Sequence, residues 1–266
     1  RMVEQGLEPL FPMADLAVMG LAEVLPRLPL LLRRMAEAVA EIRRLRPDVV
    51  VTIDAPDFCF RVARRVRGDG IPLVHYVAPT VWAWRPGRAR KVAGFLDHLL
   101  ALLPFEPPYF EREGLPCTFV GHPVVEGGAG RGDGPRFRAA HGIPATAPLL
   151  CVLPGSRRGE VERLLPVFEA GIARLAARHP GLHVAVPTVG TVRARVAEAI
   201  GRWQVPVVLV EGDDAKFDAM AAATAALAAS GTVALELALA GVPAVIAYRM
   251  APLTMAIARR LVRVRY

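Results

Sequence analysis

The stretch Leu149–Glu160, LLCVLPGSRRGE, joins a run of apolar residues to Pro154-Gly155-Ser156, then to two arginines and a helix-like run reaching Arg178. A strand that stops at glycine and serine and restarts as a helix leaves bare N–H groups at the helix start. With the partial positive charge of that end they form an anion site. Arg157 adds a planar fork that can take two oxygens of a diphosphate. Read without function, Gly155, Ser156 and Arg157 make an ordinary βα turn with Ser156 as N-cap. A second turn, Ser230-Gly231-Thr232, again leads from strand into helix. Thr232 and Glu236 lie one turn apart on one face, so a hydroxyl would sit near a phosphate and a carboxylate near a ribose diol. The plain alternative for Glu236 is a surface carboxylate favoured near a helix start.

Asp54 closes an apolar run in Ile53-Asp54-Ala55-Pro56-Asp57-Phe58. Pro56 stiffens the turn, so Asp54 or Asp57 could be aimed at a ligand and accept a proton from a hydroxyl. Asp57 could equally cap the next helix. In His75–Arg85, Trp82, Trp84 and Arg85 precede Arg88, Arg90 and Lys91, a possible aromatic and cationic wall for an acidic, partly apolar acceptor. The tryptophans serve as well as a hydrophobic loop anchor. Between Leu16 and Met35, apolar residues including Leu21, Val24, Leu25, Leu28, Leu31 and Leu32 follow helical spacing beside Arg27, Arg33 and Arg34. Such a basic amphipathic segment suits a membrane interface or the face of a sheet, while Pro26 and Pro29 argue against one regular helix.

These residues need elements to hold them. Asp48–Asp54 is a continuous apolar run, as in a strand covered on both faces. Pro72–Val77, His98–Leu103 and Cys117–Val120 are further short strands. The glycine-rich run 127–134 breaks the periodicity and reads as a linker or flexible loop. Leu149–Leu153, His183–Val186, Val207–Val210, Ala225–Ala228 and Ala244–Ala247 then form a second set, with helices between most of them. The pattern predicts an α/β protein of two Rossmann-like, doubly wound domains, 1–126 and 135–266, with ligands at the strands' carboxyl ends in a cleft between them. The net charge of +8 is nearly all arginine, Lys91 and Lys216 being the only lysines. Phosphorylated substrates or anionic lipid suit that charge better than nucleic acid, for which there is no basic–aromatic strip or recognition motif. Cys59, Cys117 and Cys151 are far apart and expected to be reduced, and no spacing suggests a metal. The uncharged run Ala219–Leu235 is broken at Ala229-Ser230-Gly231 and reads as two buried elements and a turn, not a membrane span. The chain opens at Arg1 in mid-pattern and is expected to be an internal stretch of a longer one.

Taken together, AVMGLAEVL (17–25), IDAPDF (53–58), HYVAPTVWAWR (75–85), LLPFE (102–106), FVGHPVVE (119–126), LPGSR (153–157), ASGTVALE (229–236) and YRMAPLT (248–254) resemble the lipid-A-disaccharide synthases, GT-B glycosyltransferases. The resemblance implies transfer of 2,3-diacylglucosamine from its UDP derivative to 2,3-diacylglucosamine 1-phosphate, giving a β-1,6 disaccharide 1-phosphate and UDP. It implies no cofactor or metal. It puts Gly155, Ser156, Arg157, Ser230, Gly231, Thr232, Glu236 and Arg249 around UDP, and Trp82, Trp84, Arg85 and His122 on the acceptor side. Asp54 becomes the general base, with Asp57 beside it. Residues 21–32 dock on the anionic cytoplasmic face of the inner membrane. The family's first glycine-rich loop and its C-terminal segment have no counterpart here, so the resemblance implies activity for the complete enzyme and leaves open that of the piece. Other GT-B enzymes using UDP-N-acetylglucosamine, such as an epimerase or the peptidoglycan transferase, and a non-catalytic nucleotide-sugar module are the competing classes.

Overall fold

The structure is a computed structural model that describes residues 6–12, 15–16, 21–82 and 87–249, without side chains for 21–25. Trp84 and Arg85 lie outside the described residues. The chain divides into two compact units, the first running through His122 and the second starting at Pro123.

In the first unit, α1 (Leu21–Leu45) leads into β1 (Val50–Ile53), α2 (Pro56–Val66), β2 (Leu73–Tyr76), α3 (Arg88–Ala93), β3 (His98–Ala101), α4 (Pro107–Glu111) and β4 (Cys117–Phe119). The four strands are parallel in the order β1-β2-β3-β4. Each crossover steps the same way, and right-handed crossovers then carry the connecting helices to one face. That face buries Val50, Leu73, His75, Leu99, Ala101 and Cys117. The sequence reading of a strand covered on both faces fails for β1. Among the described residues it is an edge strand, and Val51 and Ile53 on its other face are 51% and 46% exposed. Pro26 and Pro29 sit inside a single helix, against the expectation of a break. Both are exposed, so the carbonyls they leave without an N–H partner can turn to water.

The second unit contains α5 (Gly134–Ala140), β5 (Leu149–Leu153), α6 (Arg158–Arg178), β6 (His183–Thr188), α7 (Arg193–Ile200), β7 (Val207–Glu211), α8 (Asp213–Ala222), β8 (Ala225–Ala229), α9 (Val233–Leu239) and β9 (Ala244–Ala247). The sheet order is β7-β6-β5-β8-β9, all parallel. Every residue of β5 is buried, which is why its sequence is unbroken apolar. The winding reverses between β5 and β8, and such a reversal opens a crevice at the carboxyl ends of the two strands. The run Ala219–Leu235 resolves into the end of α8, β8, a turn and the start of α9. No helix of the described residues is long and apolar enough to cross a membrane.

The glycine-rich run 127–134 belongs to the second unit and is packed, where the sequence suggested a loose linker. Residues 129–131 form a short 3-10 turn, and Ala129 is buried in a cluster with Phe217, Met220 and Leu237. The glycines are there for close approach. A Cβ on Gly132 would overlap the backbone carbonyl of Phe217, and one on Gly134 would stand 2.6 Å from Ala221 O. Asp218 locks the same segment, accepting from Asp133 N at 2.6 Å and from Arg136 at 2.6 Å. Gly132→Ala is therefore expected to cost about 1–3 kcal/mol, as overpacking does. A urea titration would register it as a lower midpoint with an unchanged slope.

Candidate functional site

A cavity of about 650 Å³ opens in the second unit at the carboxyl ends of β5, β6, β7 and β8, where the winding reverses. Gly155, Ser156 and Arg157 line it from the β5–α6 turn, and Ser230, Gly231, Thr232 and Glu236 from the β8–α9 turn. The two turns singled out from sequence thus meet in one space. Gly155 has φ 109°, a left-handed conformation, and a side chain there would run into the Glu160 carboxylate. Ser156 does not cap α6: the cap position is Arg157, and no side chain caps the helix, so the Arg158 and Gly159 amides keep their donor capacity, while Glu160 N is bonded to Arg157 O at 3.1 Å. α9 likewise has no side-chain cap.

Two further strands reach the cavity, and the sequence reading had not assigned them. β6 ends at Thr188, which is nearly buried and whose hydroxyl has no partner among the described residues. β7 ends at Glu211-Gly212-Asp213, with Gly212 at φ 88° before α8. Lys216 on α8 stands 3.0 Å from Glu236 and 3.1 Å from Asp213. The same strand–glycine–helix signal recurs at 207–216, and Lys216 is a rare lysine in an arginine-rich chain, so both were detectable.

The charges of the lining decide what it can do. Glu211 is paired with Arg193 at 2.8 Å, and Lys216 is shared between Asp213 and Glu236. Arg157 is exposed and makes no ion pair among the described residues. The lining therefore offers the Arg157 guanidinium and uncapped amides at the start of α6, where the Glu160 carboxylate also stands, and the ion-paired carboxylates of Glu211, Asp213 and Glu236. The guanidinium and amides suit anionic oxygens, and the carboxylates suit hydroxyl donors. Arg249 follows β9, is exposed, and does not line this cavity.

In the first unit, Asp54 directly follows β1 with φ 48°, and Ala55 comes next at φ 42°. Val77, just past β2, has φ 81°, an outlier for a β-branched residue. Such strain at adjacent strand ends is characteristic of functional turns. Asp54 N bonds Tyr76 O at 3.0 Å, which pins the turn, and the Asp54 residue is exposed. Asp57 lies in the first turn of α2 without capping it. The cap position is Ala55, and the Asp57 side chain is 97% exposed, 3.5 Å from Arg88. Trp82 is 37% exposed, and its ring meets Phe105 edge-on at 5.3 Å. Burial raises the Glu106 carboxyl, while the bond from Leu103 N at 3.0 Å opposes the shift. His122 is half-buried just beyond β4 and lines none of the cavities described.

Beneath Asp54, His75 is fully buried. Its Nδ1 lies 2.7 Å from Thr52 Oγ1, and Phe60 meets the ring edge-on at 4.6 Å. Burial pushes the imidazole down from 6.5 to about 4, with the Asp54 charge opposing. The unfolded chain takes up that proton near 6.5, before the folded one does. The stability held above 6.5 is thus lost as pH falls toward 4, by roughly 3 kcal/mol. Denaturant midpoints measured across this interval should fall, and His75→Phe should flatten that part of the profile. Cys117 and Cys151 are free thiols that burial pushes up to about 12, which makes them inert.

The chain matches the sequence profile of a family described as lipid-A-disaccharide synthetase over residues 1–266. It is 66% identical to the lipid-A-disaccharide synthase of Rhodospirillum centenum, over 100% of this chain and 67% of that protein. It is 53% identical to that of Paramagnetospirillum magneticum, over 96% of this chain and 66% of that protein. It thus spans about two thirds of the length of these relatives. Among solved structures it is similar to S. aureus MnaA in a UDP co-structure, with a TM-score of 0.61 and 13% identity over 81% of this chain and 63% of that one. It is also similar to the Neisseria meningitidis UDP-GlcNAc 2-epimerase bound to UDP-GlcNAc, with a TM-score of 0.59 and 15% identity over 86% of this chain and 68% of that one. At such identities the likeness is one of α/β fold with parallel sheets.

Proposed function

The chain belongs to the lipid-A-disaccharide synthetase family, and from that premise we propose that it carries donor-binding and acceptor-activating parts of a lipid A glycosyltransferase. The donor is UDP-2,3-diacylglucosamine, and the acceptor is 2,3-diacylglucosamine 1-phosphate. The observation that carries the donor reading is Arg157, without an ion pair among the described residues, beside a helix start with no side-chain cap, in the cavity where the sheet's winding reverses. The diphosphate rests on Arg157 and the amides near Ser156 and Gly231. Thr232 adds a hydroxyl. Glu236, steadied by Lys216, accepts from the ribose diol. In the reaction Asp54 takes the proton of the acceptor 6-hydroxyl as that oxygen attacks the anomeric carbon. The bond to UDP breaks, its electrons pass to the diphosphate, and Arg157 stabilises that charge.

The test is direct. Complete protein incubated with both substrates should yield disaccharide 1-phosphate and UDP on thin-layer analysis, and no disaccharide would overturn the reading.

The lipid substrates call for work at a membrane surface, on the cytoplasmic face of the inner membrane. Leu28 and Leu32, one turn apart on α1, are 37% and 45% exposed, while Met35 and Val39 are buried. Exposed leucines beside Arg27 and Arg33 suit an interface carrying anionic lipid. Leu28→Ser with Leu32→Ser should reduce flotation with phosphatidylglycerol vesicles and leave UDP binding unchanged. Undiminished flotation would count against this face.

A further inference from the structure

A second cavity, of about 420 Å³, lies wholly within the first unit, between α2 and α3. Its floor is apolar, with Phe60 and Val92 both buried. Its walls carry Arg61 and Arg64 from one face of α2, and Arg88 and Lys91 from one face of α3. The neighbouring Arg90 turns away and pairs with Glu113 at 3.0 Å. Against four cations the lining holds one carboxylate, Asp57, at 3.5 Å from Arg88. Arg61 and Lys91 have no carboxylate partner among the described residues. Arg64 stands over the Phe95 ring at 4.6 Å, and Arg88, besides its contact with Asp57, stands over the Phe60 ring at 5.5 Å. Like charges converging in a concavity repel one another, and a bound anion relieves that repulsion. A planar guanidinium on each wall suits the tetrahedral oxygens of a phosphate, and a lysine adds a point charge. The excess of cations favours a dianion over the single charge of a phosphodiester.

We propose that this α2–α3 pocket binds a terminal phosphate, a phosphomonoester dianion carried by a sugar 1-phosphate or by a phosphatidic acid headgroup. Of these, the sugar 1-phosphate rests on the transferase reading above, since the pocket begins two residues beyond Asp54 at Pro56. The lipid source does not depend on that reading.

The test compares the complete protein with its Arg61→Ala/Lys91→Ala variant. Both side chains are exposed and hold no other side chain among the described residues, so thermal unfolding should be unchanged. If it is not, Arg61→Gln/Lys91→Gln serves instead. Two probes are used: glucosamine 1-phosphate in equilibrium titration, and phosphatidylcholine vesicles with and without phosphatidic acid in flotation. Loss of two charge-assisted contacts should weaken binding about tenfold or more. Weakening for glucosamine 1-phosphate identifies the sugar phosphate, and loss of the phosphatidic-acid-dependent flotation identifies the lipid. Undiminished binding of both probes overturns the proposal. Absence of disaccharide synthesis would sink the transferase reading and leave this binding result standing. A working transferase whose acceptor KM is unmoved in the variant would remove the sugar phosphate from the pocket.

Discussion

Asp54→Asn is expected to lower disaccharide formation by about 10²–10⁴-fold while UDP affinity stays within error. The substitution removes the proton acceptor and little else. Asparagine has nearly the same shape and tolerates the left-handed conformation that Asp54 adopts at φ 48°. The anchoring bond to Tyr76 O comes from the backbone and is kept. Alanine would be a poorer probe, since it adds backbone strain to the loss of the carboxylate. There is also an independent reporter. The Asp54 charge partly offsets the effect of burial on His75, so its removal should move the His75 titration further below about 4. If turnover survives within a few-fold while His75 shifts as expected, Asp54 is a charge in the turn and not the base. Asp57 would be the next carboxylate to test, although its contact with Arg88 ties it to the α2–α3 pocket.

The parts of this molecule legible from sequence are those determined by near neighbours. β5 reads as a strand because all five residues are apolar and both its faces are covered. The turns at Gly155 and Gly231 read as ligand turns because strand, glycine and helix follow one another directly. What stayed hidden depends on partners distant in the chain. Glycine at 132 and 134 has the same composition in a flexible loop as under the backbone of α8, and only the fold tells them apart. The Lys216–Glu236 pair spans two elements, so the sequence offers Glu236 as a diol acceptor or a surface carboxylate without showing the cation that holds it. The outer face of β1 is open because of the order of strands in its sheet, and its alternation gives no hint of it. Arg88 and Lys91 were noticed as cations beyond a strand. Their meeting with Arg61 and Arg64 needs the packing of α2 on α3, which lies 24 or more residues further along the chain.

Arg157→Ala should weaken UDP binding by on the order of 10–100-fold and leave stability unchanged. The magnitude follows from losing one or two hydrogen bonds to charged oxygens. The absence of a stability effect follows from the position: Arg157 caps α6 through its backbone alone, is exposed, and makes no ion pair among the described residues. Arg157→Lys separates charge from geometry. It restores the charge without the planar fork, so it should recover only part of the affinity. Lys216→Met provides the contrast. It leaves Glu236 and Asp213 without their shared cation in a cavity already rich in carboxylates, so UDP affinity and the unfolding midpoint should fall together. The two variants therefore probe different causes. Arg157 acts on the ligand, and Lys216 acts on the residues that hold it. Isothermal titration with UDP beside thermal unfolding distinguishes them. Unaltered UDP affinity in Arg157→Ala would take the diphosphate away from the β5–α6 turn. The four strand ends around the cavity would then need another ligand, one drawn to carboxylates more than to a guanidinium.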